Sequence, residues 1–294
     1  MSVPNSLPRV FNGTAPRVRP PGMSSAIVKH AVLLLVGGLV AYPFYFMVTS
    51  ALKTFFEATA VPPTLFPSEL HPENFATAWS MAPWPRYFAN TLLVAGANTI
   101  GELITAVLAA YAFAQMRFKG KTILFALLLA TYMMRAEATL IPNFVIISRR
   151  FLNLYDTYWV QILPFLATAF SIFLLRQQFL TVPQELHDAA VIDGAGHLRF
   201  LWSVVLPISV PALVTVAIIA FYGSWNAFQW PLIVTSNPDI RPIQVGLNAF
   251  RGEAGSQYHL LMAAAAFVVA PMVLLYLVGQ RYLVQGVART GIRG

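Results

Sequence analysis

The sequence predicts an all-α, polytopic membrane protein with six transmembrane helices and one polar loop on the cytoplasmic side. Three observations predict it. Of 294 residues, 57% are hydrophobic and only 10% are charged, whereas a soluble globular domain is about a quarter charged. The mean hydropathy is +0.65. Six stretches also reach the ~20 apolar residues that a helix needs to cross the hydrocarbon core. Together they exclude an ordinary soluble enzyme, and they exclude a disordered chain, which needs low hydrophobicity and high charge.

The first span runs from Ala31 to Leu52 and carries no charge. The second, Thr91 to Ala114, contains Glu102. The third, Thr122 to Ile147, contains Arg135 and Glu137, two positions apart and so not on one helix face. The fourth runs from Tyr158 to Leu175. The fifth, Val204 to Val234, is longer than one crossing and is interrupted by Pro207, Pro211 and Pro231. The sixth, Leu260 to Leu283, has Pro271 inside it.

The net charge is +8, from 19 basic and 11 acidic residues. Its distribution gives it a meaning. With a cytoplasmic N-terminus, Lys53, Arg86, Arg149, Arg150, Arg241 and Arg251 fall outside, Arg135 falls within a span, and the other basic residues fall inside. Basic residues concentrate on the cytoplasmic side of membrane proteins. Both termini are therefore expected inside, against the pull of Arg149 and Arg150. The surplus then reports topology and leaves nucleic-acid binding without support. Residues 1–30, proline-rich and without an acidic residue, read as a cytoplasmic tail. Residues 31–283 read as the permeation domain and 284–294 as a second tail. The apolar run after the first tail exceeds the 7–15 residues of a signal-peptide core, so an uncleaved anchor is expected.

The outer loop from Lys53 to Tyr87 is rich in proline and carries Trp79 and Trp84. Two readings stand: tryptophans at headgroup level, or a docking surface for an external partner. The absence of cysteine excludes disulfides, thiolate metal sites and cysteine nucleophiles. The five histidines show no HExxH spacing, so no metal site is expected. Gly120-Lys121-Thr122 is not the end of a P-loop, because the glycine required five positions before Gly120 is Gln115. Any nucleotide energy must come from another chain.

The stretch from Arg176 to Phe200 is the most polar segment between spans on the inner side. Thr181 and Gln184 have capping-box spacing, and Pro183 suits a first helical turn. Leu186, Ala189, Ala190 and Asp193 recur at helical steps, flanked by Glu185 and Asp188. Gly194 suits a left-handed helix end. A second short helix is expected to start near Gly196. The result is either a plain structured loop or a rigid knob whose small residues and carboxylates meet a basic partner.

Asp188-Ala-Ala-Val-Ile-Asp-Gly-Ala195, followed by Leu206-Pro-Ile-Ser-Val-Pro211, resembles the EAA loop of ABC-importer permeases. Trp225-Asn226 with Trp230-Pro231-Leu232 resembles a run near the outer end of the fifth span in carbohydrate permeases. Gly279–Gly286 and Gly291–Gly294 are similar to that family's closing motifs. The match covers the chain from about Ala31 onward, and the family implied is the maltose-type importer permease. One departure is Asp188, where the family usually has glutamate; another is Arg293, where it has lysine.

The resemblance implies a second permease subunit, two copies of a cytoplasmic ABC ATPase, and an external solute-binding protein. It implies no cofactor in this chain, with ATP and magnesium on the ATPase subunits. It also implies ATPase coupling through Glu185, Asp188, Ala189, Ala190, Asp193 and Gly194, in a loop spanning about 181–203. Glu137, Trp225, Asn226 and Trp230 are expected along the solute pathway, with an interfacial belt and structural ion pairing as the competing roles. The expected solute is a sugar or oligosaccharide. Glycerol 3-phosphate or a related phosphodiester is the alternative. An ion-gradient carrier ranks lower, since no internal repeat is evident.

Overall fold

The computed structural model describes residues 23–134, 136–148, 151–250 and 257–288. Most of the N-terminal tail, Arg135, Arg149, Arg150, Arg251 and the terminal Gly291–Gly294 motif lie outside the described residues. Contacts divide the chain into Met1–Phe46 and Met47–Gly294. Among the described residues the secondary structure is helical, with no strand.

Helix α1, Met23–Ala51, starts inside the segment read as tail. After it come two short helices, α2 (Phe55–Ala58) and α3 (Glu73–Ser80), in the proline-rich loop. The long helix α4 covers Trp84–Gln115. Its start corrects one expectation. Trp84 is not interfacial: it is 0% exposed, and its indole N–H donates to the Ala78 carbonyl at 2.8 Å. Trp79 is exposed at its edge and packs against Phe88 and Phe267.

The third expected span is two helices, α5 (Lys121–Tyr132) and α6 (Ala136–Ile147). The fourth is broken too. Helix α7 (Tyr158–Ile162) passes into a 3₁₀ turn, Leu163–Phe165, and α8 (Ala169–Phe179) follows at a bend of 42°. Pro164 explains the break, because it supplies no backbone donor and its ring opposes a continuing helix. Thr168 restarts the chain as an N-cap, its hydroxyl accepting from the Ser171 N–H at 3.4 Å.

After α8 come α9 (Gln184–Ile192) and α10 (His197–Phe200), then a π turn over Leu201–Val205 and α11 (Leu206–Ile208). Helix α12, Val210–Trp225, leaves this segment at 83°. Pro211 removes the donor that would have met the Pro207 carbonyl, and its ring crowds that carbonyl. The Leu-Pro-x-x-x-Pro pattern is thus the sequence of a corner. Helices α13 (Gln229–Val234) and α14 (Ile243–Gly246) precede the final helix, α15 (Tyr258–Ala288).

Among the described residues, three helices, Ile27–Ala51, Trp84–Gln115 and Tyr258–Val278, are each long and apolar enough to span a membrane. The three broken pairs bring the number of possible spans to six by length and composition.

Helix α4 packs against α8 and α12, and α12 against α15. One core gathers Ala106 and Ala110 of α4 with Ile172, Leu175, Phe179, Leu201 and Val216. A second gathers Trp84, Tyr87, Trp225, Phe250, Leu260 and Ala264.

Candidate functional site: a polar-walled cavity and an exposed helical knob

Helix α4 carries Asn90, Asn98 and Glu102 at four- and eight-residue steps, so they fall on one face. All three are buried. Each satisfies a broken element beside it. Asn90 donates to the carbonyls of Asp239 (2.8 Å) and Arg241 (3.0 Å) and accepts from the Tyr158 hydroxyl (2.7 Å). Asn98 donates to the Gln161 carbonyl (3.2 Å) and to Ser224 Oγ (3.0 Å). Glu102 Oε1 accepts from the Thr168 hydroxyl and, at 2.5 Å, from the Ser171 hydroxyl. Thr105 donates to the Leu166 carbonyl, which the break before α8 leaves without a helical partner. Gly101 permits this approach, since a Cβ there would strike the Leu166 side chain. One helix face thereby staples the break between α7 and α8.

A cavity of about 650 Å³ opens beside this seam. Its wall includes Asn98 and Glu102 from α4, Gln161 and Phe165 around the break, Thr168 and Ser171 at the start of α8, and Gly223 and Ser224 of α12. Tyr132 and Phe170 also line it, with rings stacked at 5.8 Å.

The expected pathway residues do not line this cavity. Trp225 is 1% exposed; its indole N–H donates to the Val268 carbonyl (3.3 Å) and its ring stacks on Phe221. Trp230 is buried, with its N–H donated to the Val160 carbonyl (2.9 Å). Both are core tryptophans rather than a stacking platform or a belt. Asn226 is exposed and accepts from Gln244 at 3.2 Å. Glu137 is exposed in the first turn of α6. Sequence reasoning passed over Asn98, Gln161, Thr168, Ser171 and Ser224, which are ordinary polar residues one at a time. Glu102 carried a signal, because an ionisable group inside a span marks a functional site by default.

The second region is the segment from α9 to α10. The expected capping box is absent. Helix α9 begins after Pro183 without a side-chain cap, and the Thr181 hydroxyl instead donates to the Gln178 carbonyl (2.7 Å). A helix capped by Thr181 would need Val182 in the α region, which the following Pro183 disfavours, so the helix starts later. The other end forms as expected. Gly194 sits at φ +72°, the Ala195 N–H donates to the Ala190 carbonyl (2.8 Å), and the Gly194 N–H to the Val191 carbonyl (3.0 Å). This is a Schellman ending, which requires the left-handed residue that glycine supplies.

The inner face of the knob is fixed to the bundle. His187 packs edge-on against Phe200 at 5.2 Å, and Tyr111 of α4 bonds His197 Nδ1 at 3.1 Å. Ala190 is half-buried against the first core. Ala189 is exposed, so the alanines do not form one outward face. Glu185, Asp188, Asp193 and Gly194 are exposed beside Leu186, Val191 and Ile192, the last 86% exposed. The knob therefore offers carboxylates and apolar side chains together.

Between α6 and α7, Asp156 accepts from the backbone N–H groups of Ser236 and Asn237, both at 2.9 Å, and from the Ser236 hydroxyl at 3.1 Å. Burial pushes its carboxyl upward, but these donors and Arg241 outweigh that and hold it below the usual aspartate range.

Residues 33–289 match the family described as binding-protein-dependent transport system inner membrane component. The chain is 35% identical over 257 residues to the probable ABC transporter permease protein YurM of Bacillus subtilis strain 168, covering 87% of this chain and 84% of that one. It is 32% identical over 268 residues to the sn-glycerol-3-phosphate transport system permease protein UgpE of Yersinia enterocolitica, covering 88% and 95%. The fold resembles a chain of a bacterial ABC transporter involved in the import of the acidic polysaccharide alginate, with a TM-score of 0.77 and 23% identity, over 88% of this chain and 96% of that one.

Proposed function

We propose a translocation role for this chain, which belongs to the family of binding-protein-dependent transport system inner membrane components and is a permease subunit of an ABC importer. In this role it moves a hydroxyl-rich solute, a sugar or oligosaccharide, by alternating access. It pairs with a second permease, two copies of a cytoplasmic ATPase and an external solute-binding protein. Both termini and the knob face the cytoplasm. The chain contributes no ATPase chemistry; ATP and magnesium act on the partner subunits.

The observation that carries this reading is mechanical continuity. The exposed α9 is sealed at Gly194, and the chain then runs through α10 and the proline corner into α12. Helix α12 carries Gly223 and Ser224, which line the cavity. Displacement of the knob by a closing ATPase is thereby delivered to the cavity wall. Glu185, Asp188 and Asp193 offer charge-assisted bonds to a basic cleft, and Leu186, Val191 and Ile192 supply the apolar contact.

The likeness to UgpE supports a second reading, in which the solute is glycerol 3-phosphate. Copurification tests the role itself. The importer reading expects an ATPase subunit to accompany the chain and uptake into proteoliposomes to require ATP inside the assembled complex. Uptake by this chain alone, driven by an ion gradient, contradicts it.

A further inference from the structure

We propose that Glu102 is the specificity-determining residue of the cavity: its carboxylate admits uncharged, hydroxyl-rich solutes and excludes anionic ones. This rests on the permease reading and decides between its two solutes.

Three observations carry it. First, Glu102 is the one formal charge among the described residues that line the cavity. Arg241 is not part of the wall, although Pro242 beside it is; its charge lowers the Asp156 carboxyl and its Nε is buried without a partner.

Second, the wall is rich in acceptors and poor in donors. Thr168 and Ser171 give their hydroxyl hydrogens to Glu102 Oε1. Asn98 gives its amide hydrogens to Gln161 and Ser224, Gln161 gives one to the Ile240 carbonyl (3.2 Å), and Thr91 gives its own to the Tyr87 carbonyl (2.7 Å). An oxyanion needs several donors, and those of Asn98, Thr168, Ser171 and Thr91 are spent, which leaves the Ser224 and Tyr132 hydroxyls and the second Gln161 N–H. Oxygens remain unpaired. Glu102 Oε2 takes no hydrogen bond from the described residues. Asn98 Oδ1 and Gln161 Oε1 are sealed without a partner, although both residues line the cavity and are at least nine-tenths buried. Their amide nitrogens face backbone carbonyls, so exchanging N and O would set oxygen against oxygen. A buried acceptor without a donor is costly, and of these oxygens Glu102 Oε2 is the one left to accept from a solute hydroxyl.

Third, Tyr132 and Phe170 give the same cavity an aromatic wall. A sugar presents hydroxyls on its rim and C–H groups on its faces. It meets both kinds of wall, as a phosphate or carboxylate does not.

The test is solute binding by the full chain in lipid nanodiscs, read by tryptophan fluorescence. Matched probes are used: glycerol against sn-glycerol 3-phosphate, and maltotriose against an alginate trisaccharide. The neutral member of each pair should bind at least about tenfold more tightly, since a like charge brought against a buried carboxylate is strongly disfavoured. Glu102→Gln keeps an acceptor for Thr168 and Ser171 and should bring that ratio to within about twofold of unity. Ala220→Lys, on the α12 wall and away from the Glu102 contacts, should shift preference toward the anion even if the first variant folds poorly. Wild-type chain that binds the anion as tightly as its neutral partner overturns the proposal. So does a Glu102→Gln ratio equal to wild type, or a chain to which none of the four probes binds. ATP-driven uptake by the assembled importer is scored separately. Its loss for every solute sinks the permease reading, whereas intact uptake with no discrimination at Glu102 sinks only this inference.

Discussion

The cavity wall and the knob solve opposite problems with the same residue types. In the wall, Asn98 and Glu102 turn inward and bond to other elements, across 63 to 126 positions of sequence. In the knob, Glu185, Asp188 and Asp193 face outward, and the backbone closes its own bonds within five residues at Gly194. The wall is therefore a long-range structure, in which each polar group is needed where it stands. The knob is a local structure that leaves its carboxylates exposed. Substitutions in the wall should change stability or solute preference, and substitutions in the knob should change energy coupling.

The largest expected effect tests whether the tryptophans belong to the core. Trp225→Ala should lower the stability of the purified chain by about 3–5 kcal/mol, as loss of a buried aromatic does, and leave the neutral-to-anionic preference of the folded fraction unchanged. Thermal unfolding in detergent measures the first and fluorescence titration the second. A stable variant with altered solute preference would return Trp225 to the pathway.

Next is the seam. Glu102→Ala leaves the Thr168 and Ser171 hydroxyls without their acceptor and should cost about 2 kcal/mol. Glu102→Gln should cost less, so the order of melting temperatures distinguishes a hydrogen-bonding role from mere bulk.

Gly194→Val places a β-branched residue at φ +72° and should break the comparison from the other side. Uptake should fall by about 5–150-fold, the range of typical coupling energies, and by more than the loss of folded protein that the roughly 1–2 kcal/mol of left-handed strain causes. Loss of uptake only in proportion to loss of folded protein would remove the special role of the knob.

The smallest effect lies between α6 and α7. Because the donors around Asp156 hold its carboxyl below the usual range, its stabilisation is present above the ordinary carboxylate pKa and disappears as pH falls through the lowered value. The side chain is only half-buried, so Asp156→Asn should cost only about 0.5–1 kcal/mol near neutral pH. The difference from wild type should close below about pH 4. A difference that persists in acid would assign the effect to packing.

The same contrast explains what could be read in advance. The knob was legible because its determinants lie within a dozen residues. Gly194 and Gly196 placed the helix ends correctly, and the Leu206–Pro211 run marked the corner. Thr181 misled because capping-box spacing says nothing of Val182, which Pro183 holds out of the α region and so delays the helix. The apolar spans were legible by length, but their breaks were not: the third and fourth each read as one crossing, and hydropathy averages over a kink. The cavity was least legible. No local pattern reveals that Asn98, Gln161 and Ser224 converge, and only Glu102 stood out, by its cost in an apolar segment. Trp225 and Trp230 misled because motif likeness gives a position in the chain, not the direction of a side chain.

The most direct test of this division is one titration on the Asp188→Arg chain. Asp188 is exposed and its side chain meets only residues of its own helix, Gln184 at 3.4 Å and His187 Nδ1 at 3.6 Å, so reversing its charge should leave the cavity intact. In lipid nanodiscs, maltotriose should bind this variant within about twofold of wild type, while ATP-driven uptake by the assembled importer is lost. Binding and uptake that fall together, or uptake that survives, would contradict the assignment of coupling to the knob and recognition to the wall.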